Sequence, residues 1–128
     1  MKEIIAVIRM NKVNQTKDAL AEEGFPAFTC LKVSGRGKKK VDYQEIAEDL
    51  LKQKDIPNAV AEAVSEERRL LAKRLISLTV ADQDAPKVIH TIININQTGN
   101  PGDGKIFVMS IGEAIRVRTG ETGEQAIV

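Results

Sequence analysis

The sequence predicts an α+β sandwich in which a β-α-β unit occurs twice, once on each side of a long insert. Three observations predict it. Short β-branched runs flank a helical pattern in each half of the chain. Between the halves, roughly residues 36–71 carry helical rather than strand patterning. The composition is 42% apolar but only 3% aromatic, without tryptophan, so the core must be aliphatic. At 128 residues the chain reads as one small domain spanning 1–128 with a single core.

Ile4 to Ile8 is strand-like. Asn14 to Glu23 reads as a helix stopped by Gly24 and Pro26. Phe28 to Val33 alternates as a second strand, and Leu75 to Val80 is a third. Asp84-Ala-Pro-Lys then offers an N-cap and a first-turn proline, and Val88, Ile89, Ile92 and Ile93 form an apolar helical stripe. Ile92 to Asn96 alone would pass for an alternating strand; the upstream cap and the length of the run decide for helix. Ile106 to Met109 is a fourth strand, and Ile115 to Val117 is expected as a short fifth. The order is that of a ferredoxin-like sandwich, an architecture that hosts many functions.

The formal net charge is +1, which gives no overall steering toward nucleic acid or acidic membranes. A lone cysteine, Cys30, excludes an internal disulfide and suits a reducing, cytoplasmic setting. Its surroundings are those of an ordinary strand residue. The single histidine, His90, falls on the polar side of its helix without a companion metal ligand. No run approaches transmembrane length, and the first apolar run is too short for a signal peptide.

The chemistry concentrates in Thr98-Gly-Asn-Pro-Gly-Asp-Gly-Lys-Ile-Phe-Val108 and Ile115-Arg-Val-Arg-Thr-Gly-Glu121. Gly99 to Lys105 has the G-x-x-x-x-G-K spacing of a phosphate loop, but Ile106 stands where a Ser or Thr is required. The residues after Lys105 read as strand rather than helix, so a Walker-type NTPase is rejected. A more modest reading survives. Gly102 and Gly104 can take positive φ and turn successive N–H groups inward as an anion nest. Arg116 and Arg118, two apart on the expected strand, would share one face. Glycines, Lys105 and two arginines together suit a polyphosphate, hence a nucleotide.

These segments resemble the B-loop (about 97–105) and C-loop (about 112–121) of the PII signal-transduction proteins. The opening Met1-Lys-Glu-Ile-Ile-Ala-Val-Ile-Arg9, the stretch Ala19-Leu-Ala-Glu-Glu-Gly-Phe-Pro-Ala-Phe-Thr29, and Gly35-Arg-Gly-Lys-Lys-Lys40 at the start of the T-loop (about 36–71) are also similar to that family. The resemblance implies a trimer with ATP or ADP in the clefts between subunits. Carried over position by position, Thr29, Gly37, Lys38 and Thr79 would line the pocket from one subunit, and Gly102, Asp103, Gly104 and Lys105 would cradle the phosphates. Arg116, Val117 and Arg118 would come from the neighbour. The family senses 2-oxoglutarate beside ATP through magnesium and a lysine after the T-loop, a position held here by Lys73. Lys39 replaces a glutamine whose carbonyl helps ligate magnesium, and a lysine has no acceptor. With Lys38 and Lys40 it either supplies counter-charge to 2-oxoglutarate under altered metal coordination or weakens sensing. No side chain is assigned to magnesium.

The T-loop is longer than in common PII proteins. Within it, Tyr43 to Lys54 places Ile46, Leu50 and Leu51 near one face, Pro57 breaks the pattern, and Ala59 to Leu71 is Ala/Glu/Arg-rich. Tyr43 lies outside the context of the uridylylated family tyrosine. Together with the ending Thr119-Gly-Glu-Thr-Gly-Glu-Gln-Ala-Ile-Val128, the loop is most similar to the nitrogenase-linked branch, especially its longer paired member. That implies a non-enzymatic regulator that inhibits dinitrogenase, with a paired PII protein, when 2-oxoglutarate is low. Two alternatives stay open: a general PII regulator of an ammonium transporter, and a slow ATPase for which Asp103 would be the only acid at hand.

Overall fold

The computed structural model describes residues 1–37 and 70–128. The Lys38, Lys39 and Lys40 run, Tyr43, the two T-loop helical patterns and their Pro57 break therefore lie outside the described residues, apart from the terminal Leu70 and Leu71. The chain divides into two compact units: Met1–Val33 with Lys73–Val128, and Ser34–Ala72. Of the second, the described part is the end of one strand and the start of the next, and Gly37 lies there exposed. The elements are β1 (Lys2–Arg9), α1 (Val13–Glu22), β2 (Thr29–Gly35), β3 (Leu71–Val80), α2 (Ala85–Asn96) and β4 (Lys105–Ser110). They form a four-stranded antiparallel sheet in the order β2-β3-β1-β4, with the two helices expected of the double β-α-β plan.

Alternation on β1 sets the core. Ile4, Ala6 and Ile8 are buried, and their register partners on β3 include Leu78 and Ile76. These meet Leu20 of α1 and Ala85, Val88 and Ile92 of α2 in one aliphatic cluster. Between the helices the contact is polar: Asn96 Nδ2 donates to Thr16 Oγ1 at 3.0 Å and to the Ile92 carbonyl at 2.9 Å, with both side chains almost wholly buried. Helix α1 ends in a Schellman arrangement. Phe25 N–H bonds the Leu20 carbonyl at 2.8 Å and Gly24 N–H that of Ala21 at 3.0 Å, while Gly24 takes φ +94°.

Three expectations are corrected. Asp84 occupies the N-cap position of α2 but makes no side-chain cap bond, because a 3-10 turn over Asp82–Asp84 feeds the helix with the backbone already αR. Strand β3 starts at Leu71 rather than Leu75, since pairing with β1 continues to Arg9↔Lys73 and overrides the broken alternation at Lys73-Arg74. Ile115 to Val117 is not a strand. One bridge, Ile115↔Thr122, is all that forms, because Gly120 (φ +74°) folds its N–H back onto the Arg116 carbonyl at 2.7 Å.

The sheet face away from the helices carries Glu3, Ile5, Val7 and Arg9 of β1. Register adds Lys73, Leu75, Ser77 and Thr79 of β3 and Lys105, Phe107 and Met109 of β4. Phe107 is 52% and Met109 43% exposed, so an apolar patch lies open on this face between its charged ends.

Candidate functional site

The loop from α2 to β4 is closed by its own aspartate. Asp103 Oδ2 accepts the N–H groups of Thr98 (2.8 Å) and Gly99 (3.0 Å), and its Oδ1 accepts the Thr98 hydroxyl (2.5 Å) and the Arg9 guanidinium (2.6 Å). Hydrogen bonds from the Thr98 hydroxyl and N–H, more than those from Arg9 and the Gly99 N–H, hold this carboxyl well below the ordinary range. The aspartate thus works as a staple. The N–H groups of Gly102, Asp103 and Gly104 take no part in it.

Two glycines make that loop feasible. Gly104 takes φ +114°, and a Cβ there would stand 1.9 Å from the Val7 carbonyl oxygen, so only glycine lets the loop lie on β1. Gly102 takes φ +99° beneath the Arg9 and Lys73 head groups. Lys73 Nζ donates to the Gly102 carbonyl at 2.8 Å, and Arg9 Nη2 to that of Pro101 at 3.1 Å. Because Arg9 pairs with Lys73, and Val7 with Lys105, the three cations share the helix-free face at the loop end of the sheet. Burial, and then the neighbouring Arg9 charge, lower the Lys73 pKa, with Asp103 opposing. Arg9 and Thr98 were not singled out by sequence reasoning, although the odd-numbered parity of β1 puts Arg9 on the face of Val7.

The remaining expected residues sit elsewhere in the same chain. Thr79 shares a strand face with Lys73, but positions 73 and 79 are separated by roughly 20 Å at about 3.3 Å per residue. Thr79 is opposite Glu3, near the end where β1 begins. Thr29 opens β2 at that same end of the antiparallel sheet, and Ile111 N–H bonds the Met1 carbonyl there as the chain leaves β4. Thus Thr29 and Thr79 lie away from the glycine loop, and the segment leading to Arg116, Val117 and Arg118 leaves from their end of the sheet. Within one chain the length of the strand separates Thr29 and Thr79 from Gly102–Lys105. Gly37 belongs to the other unit, and Lys38, Lys39 and Lys40 are outside the described residues.

Within the C-terminal segment, Arg116 and Arg118 do not share a strand face. Arg116 bonds Glu121 Oε1 at 3.2 Å and the main-chain oxygens of Gln125 (2.9 Å) and Val128 (2.7 Å). Val117 is 99% exposed at the turn, and Arg118 is exposed beside it.

An apolar groove of about 350 Å³ runs between α2 and β4, walled by Ile89, Ile93, Ile106 and Val108. It reaches Asp103 to Lys105 at one end, but its walls suit no polyphosphate; the cations Arg9, Lys73 and Lys105 lie on the opposite sheet face. Among the described residues no group of three or more His, Cys, Asp or Glu could hold a metal, and both Asp103 oxygens are already engaged.

The family model of nitrogen regulatory protein P-II matches residues 1–121, which include the glycine loop and both arginines. The chain belongs to the P-II family. Full-length relatives agree. It is 47% identical to the nitrogen fixation nifHD region GlnB-like protein 2 of Methanothermococcus thermolithotrophicus, over 99% of this chain and 98% of that one. Against the protein of the same description from Methanosarcina barkeri (nifHD1 region) identity is 45%, over 99% of each chain. Against the nitrogen regulatory protein P-II of Rhizobium meliloti it is 39%, over 99% of this chain and 100% of that one. The PII of Arabidopsis thaliana, solved with citrate bound, superposes with a TM-score of 0.71 at 28% identity, covering 98% of this chain and 88% of that one. The P-II assignment makes the chain a nitrogen regulator rather than an enzyme, with relatives named for nitrogen fixation. Among the described residues no helix is long and apolar enough to cross a membrane.

Proposed function

We propose that this P-II protein binds ATP or ADP and 2-oxoglutarate between subunits of a trimer, and thereby controls nitrogenase through its T-loop. The observation that carries this reading is the split of the cationic residues. Gly102–Lys105 with Lys73 and Arg9 lies at one end of the sheet, and the segment with Arg116, Val117 and Arg118 leaves from the other end. One chain holds two half-sites, so a polyphosphate is enclosed only when a second copy brings its C-terminal segment to the first copy's loop. The apolar outer face with Ile5, Val7, Leu75, Phe107 and Met109 gives those copies a surface to share. Thr29 and Thr79 then act with the arginines.

Loop N–H groups and Lys105 meet the phosphates, and guanidinium forks fix their geometry. Lys73, already close to Gly102, meets a carboxylate of 2-oxoglutarate, with Lys39 and Lys40 as further counter-charge. Magnesium is held by the ligands themselves, since Asp103 is engaged in the staple. The nitrogen-fixation naming of the relatives favours dinitrogenase as target, together with a paired P-II protein, over an ammonium transporter. The metabolite acts only through its different affinities for two loop states. Capture of purified dinitrogenase on the immobilised protein tests the reading. Retention in low 2-oxoglutarate and release by 2-oxoglutarate with Mg-ATP is expected; retention indifferent to both ligands contradicts it.

A further inference from the structure

Arg116 makes three side-chain hydrogen bonds inside its own chain. A guanidinium offers two forks, end-on through Nη1 and Nη2 and side-on through Nε and Nη2, and both include Nη2. Both Nη2 hydrogens are directed to the Gln125 and Val128 main-chain oxygens, at 2.9 and 2.7 Å, while Nη1 faces the Glu121 carboxylate at 3.2 Å. No two-pronged phosphate contact is open to Arg116 in this arrangement, and Glu121 adds a charge that repels phosphate. Arg118, two residues on, is exposed.

We propose that the C-terminal 3-10 turn, Gly123–Ile127, with Val128 and Glu121, is an intramolecular competitor for Arg116, a latch that nucleotide phosphates must displace. The inference rests on the reading of Arg116 as a phosphate ligand, and goes beyond it by assigning roles to Glu121 and the last residues. The hinge is already in place. Gly120 and Gly123 take φ +74° and +70° on either side of Glu121, so the turn is joined to the arginine strap by two glycines. The tail is lightly held: Val128 is 96% exposed, Ala126 and Ile127 are half-buried, and no residue of the turn is fully buried. Since latch and phosphate use the same Nη2, they exclude each other, and by linkage whatever frees the tail tightens nucleotide binding, while nucleotide frees the tail. First contact falls to Arg118 and the glycine loop, with Arg116 joining once the tail leaves.

Calorimetric titration of Mg-ATP into wild-type protein, Glu121→Gln, and a variant lacking residues 126–128 tests the latch. Both changes are expected to tighten binding, the deletion by about fivefold or more, and the deletion should have no effect in an Arg116→Gln background. Unchanged or weaker binding in both variants, with wild type still binding ATP, overturns the latch alone. Absence of ATP binding by wild type overturns the phosphate role of Arg116 and the latch with it. A second readout uses the unaltered protein: the backbone amides of Gly123–Ile127 should exchange hydrogen faster under saturating Mg-ATP. An unaltered rate contradicts the proposal.

Discussion

Asp103 looks in sequence like a lone acid beside a phosphate loop, yet it binds the loop to itself and to Arg9. Its depressed pKa means that the staple persists above the unfolded carboxyl value and is lost only as pH falls through the lower folded value. Loop amides of Thr98 and Gly99 should therefore stay protected from exchange in mild acid, and lose protection in Asp103→Ala at neutral pH. Gly104 is constrained by sterics and by its dihedral together. Gly104→Ala is expected to cost at least about 2 kcal/mol in chemical unfolding, because its Cβ meets the Val7 oxygen.

Lys73 carries a different sign. Its folded pKa is lowered, so its charge disfavours folding while it is protonated, and that cost fades as pH rises through the folded value toward 10.5. A carboxylate arriving beside it should raise the pKa again. Binding of 2-oxoglutarate with ATP in alkaline buffer should then take up protons, read as a heat that depends on the buffer's ionisation enthalpy. Proton release would contradict the placement.

At the scale of elements, strands β1 and β4 and helix α2 were legible from their apolar runs, and α1 from its recognisable stop. Gly24 ended α1 as its sequence indicates. Legibility failed where long-range pairing or turn chemistry decided. Lys73-Arg74 joined β3 through its pairing with β1, and Ile115 to Val117 lost its strand to Gly120. The glycine loop was legible from its residues, whereas Arg9 entered the site through strand register, which a single motif does not display. The core prediction at this scale is direct: Ile76→Ala, at a wholly buried position between β1 and the helices, should lower unfolding stability by roughly 2–5 kcal/mol.

At the scale of the whole molecule, the proposed function requires half-sites at opposite ends of one sheet that are completed by copies. If sites are shared, Lys105→Gln and Arg118→Gln proteins should each bind ATP poorly. Co-refolded mixtures of the two should recover part of the wild-type sites, because some interfaces then pair an intact loop with an intact C-terminal segment. Sites confined to one chain would recover nothing. The most direct measurement of the central claim is calorimetric titration of 2-oxoglutarate into purified protein, first with Mg-ATP and then without nucleotide, after Mg-ATP itself has been titrated. The account predicts saturable ATP binding and saturable 2-oxoglutarate binding that requires ATP. Clear ATP binding without any 2-oxoglutarate response would remove the proposed release signal, and no ATP binding at all would contradict the assignment of Gly102 to Lys105, Arg116 and Arg118.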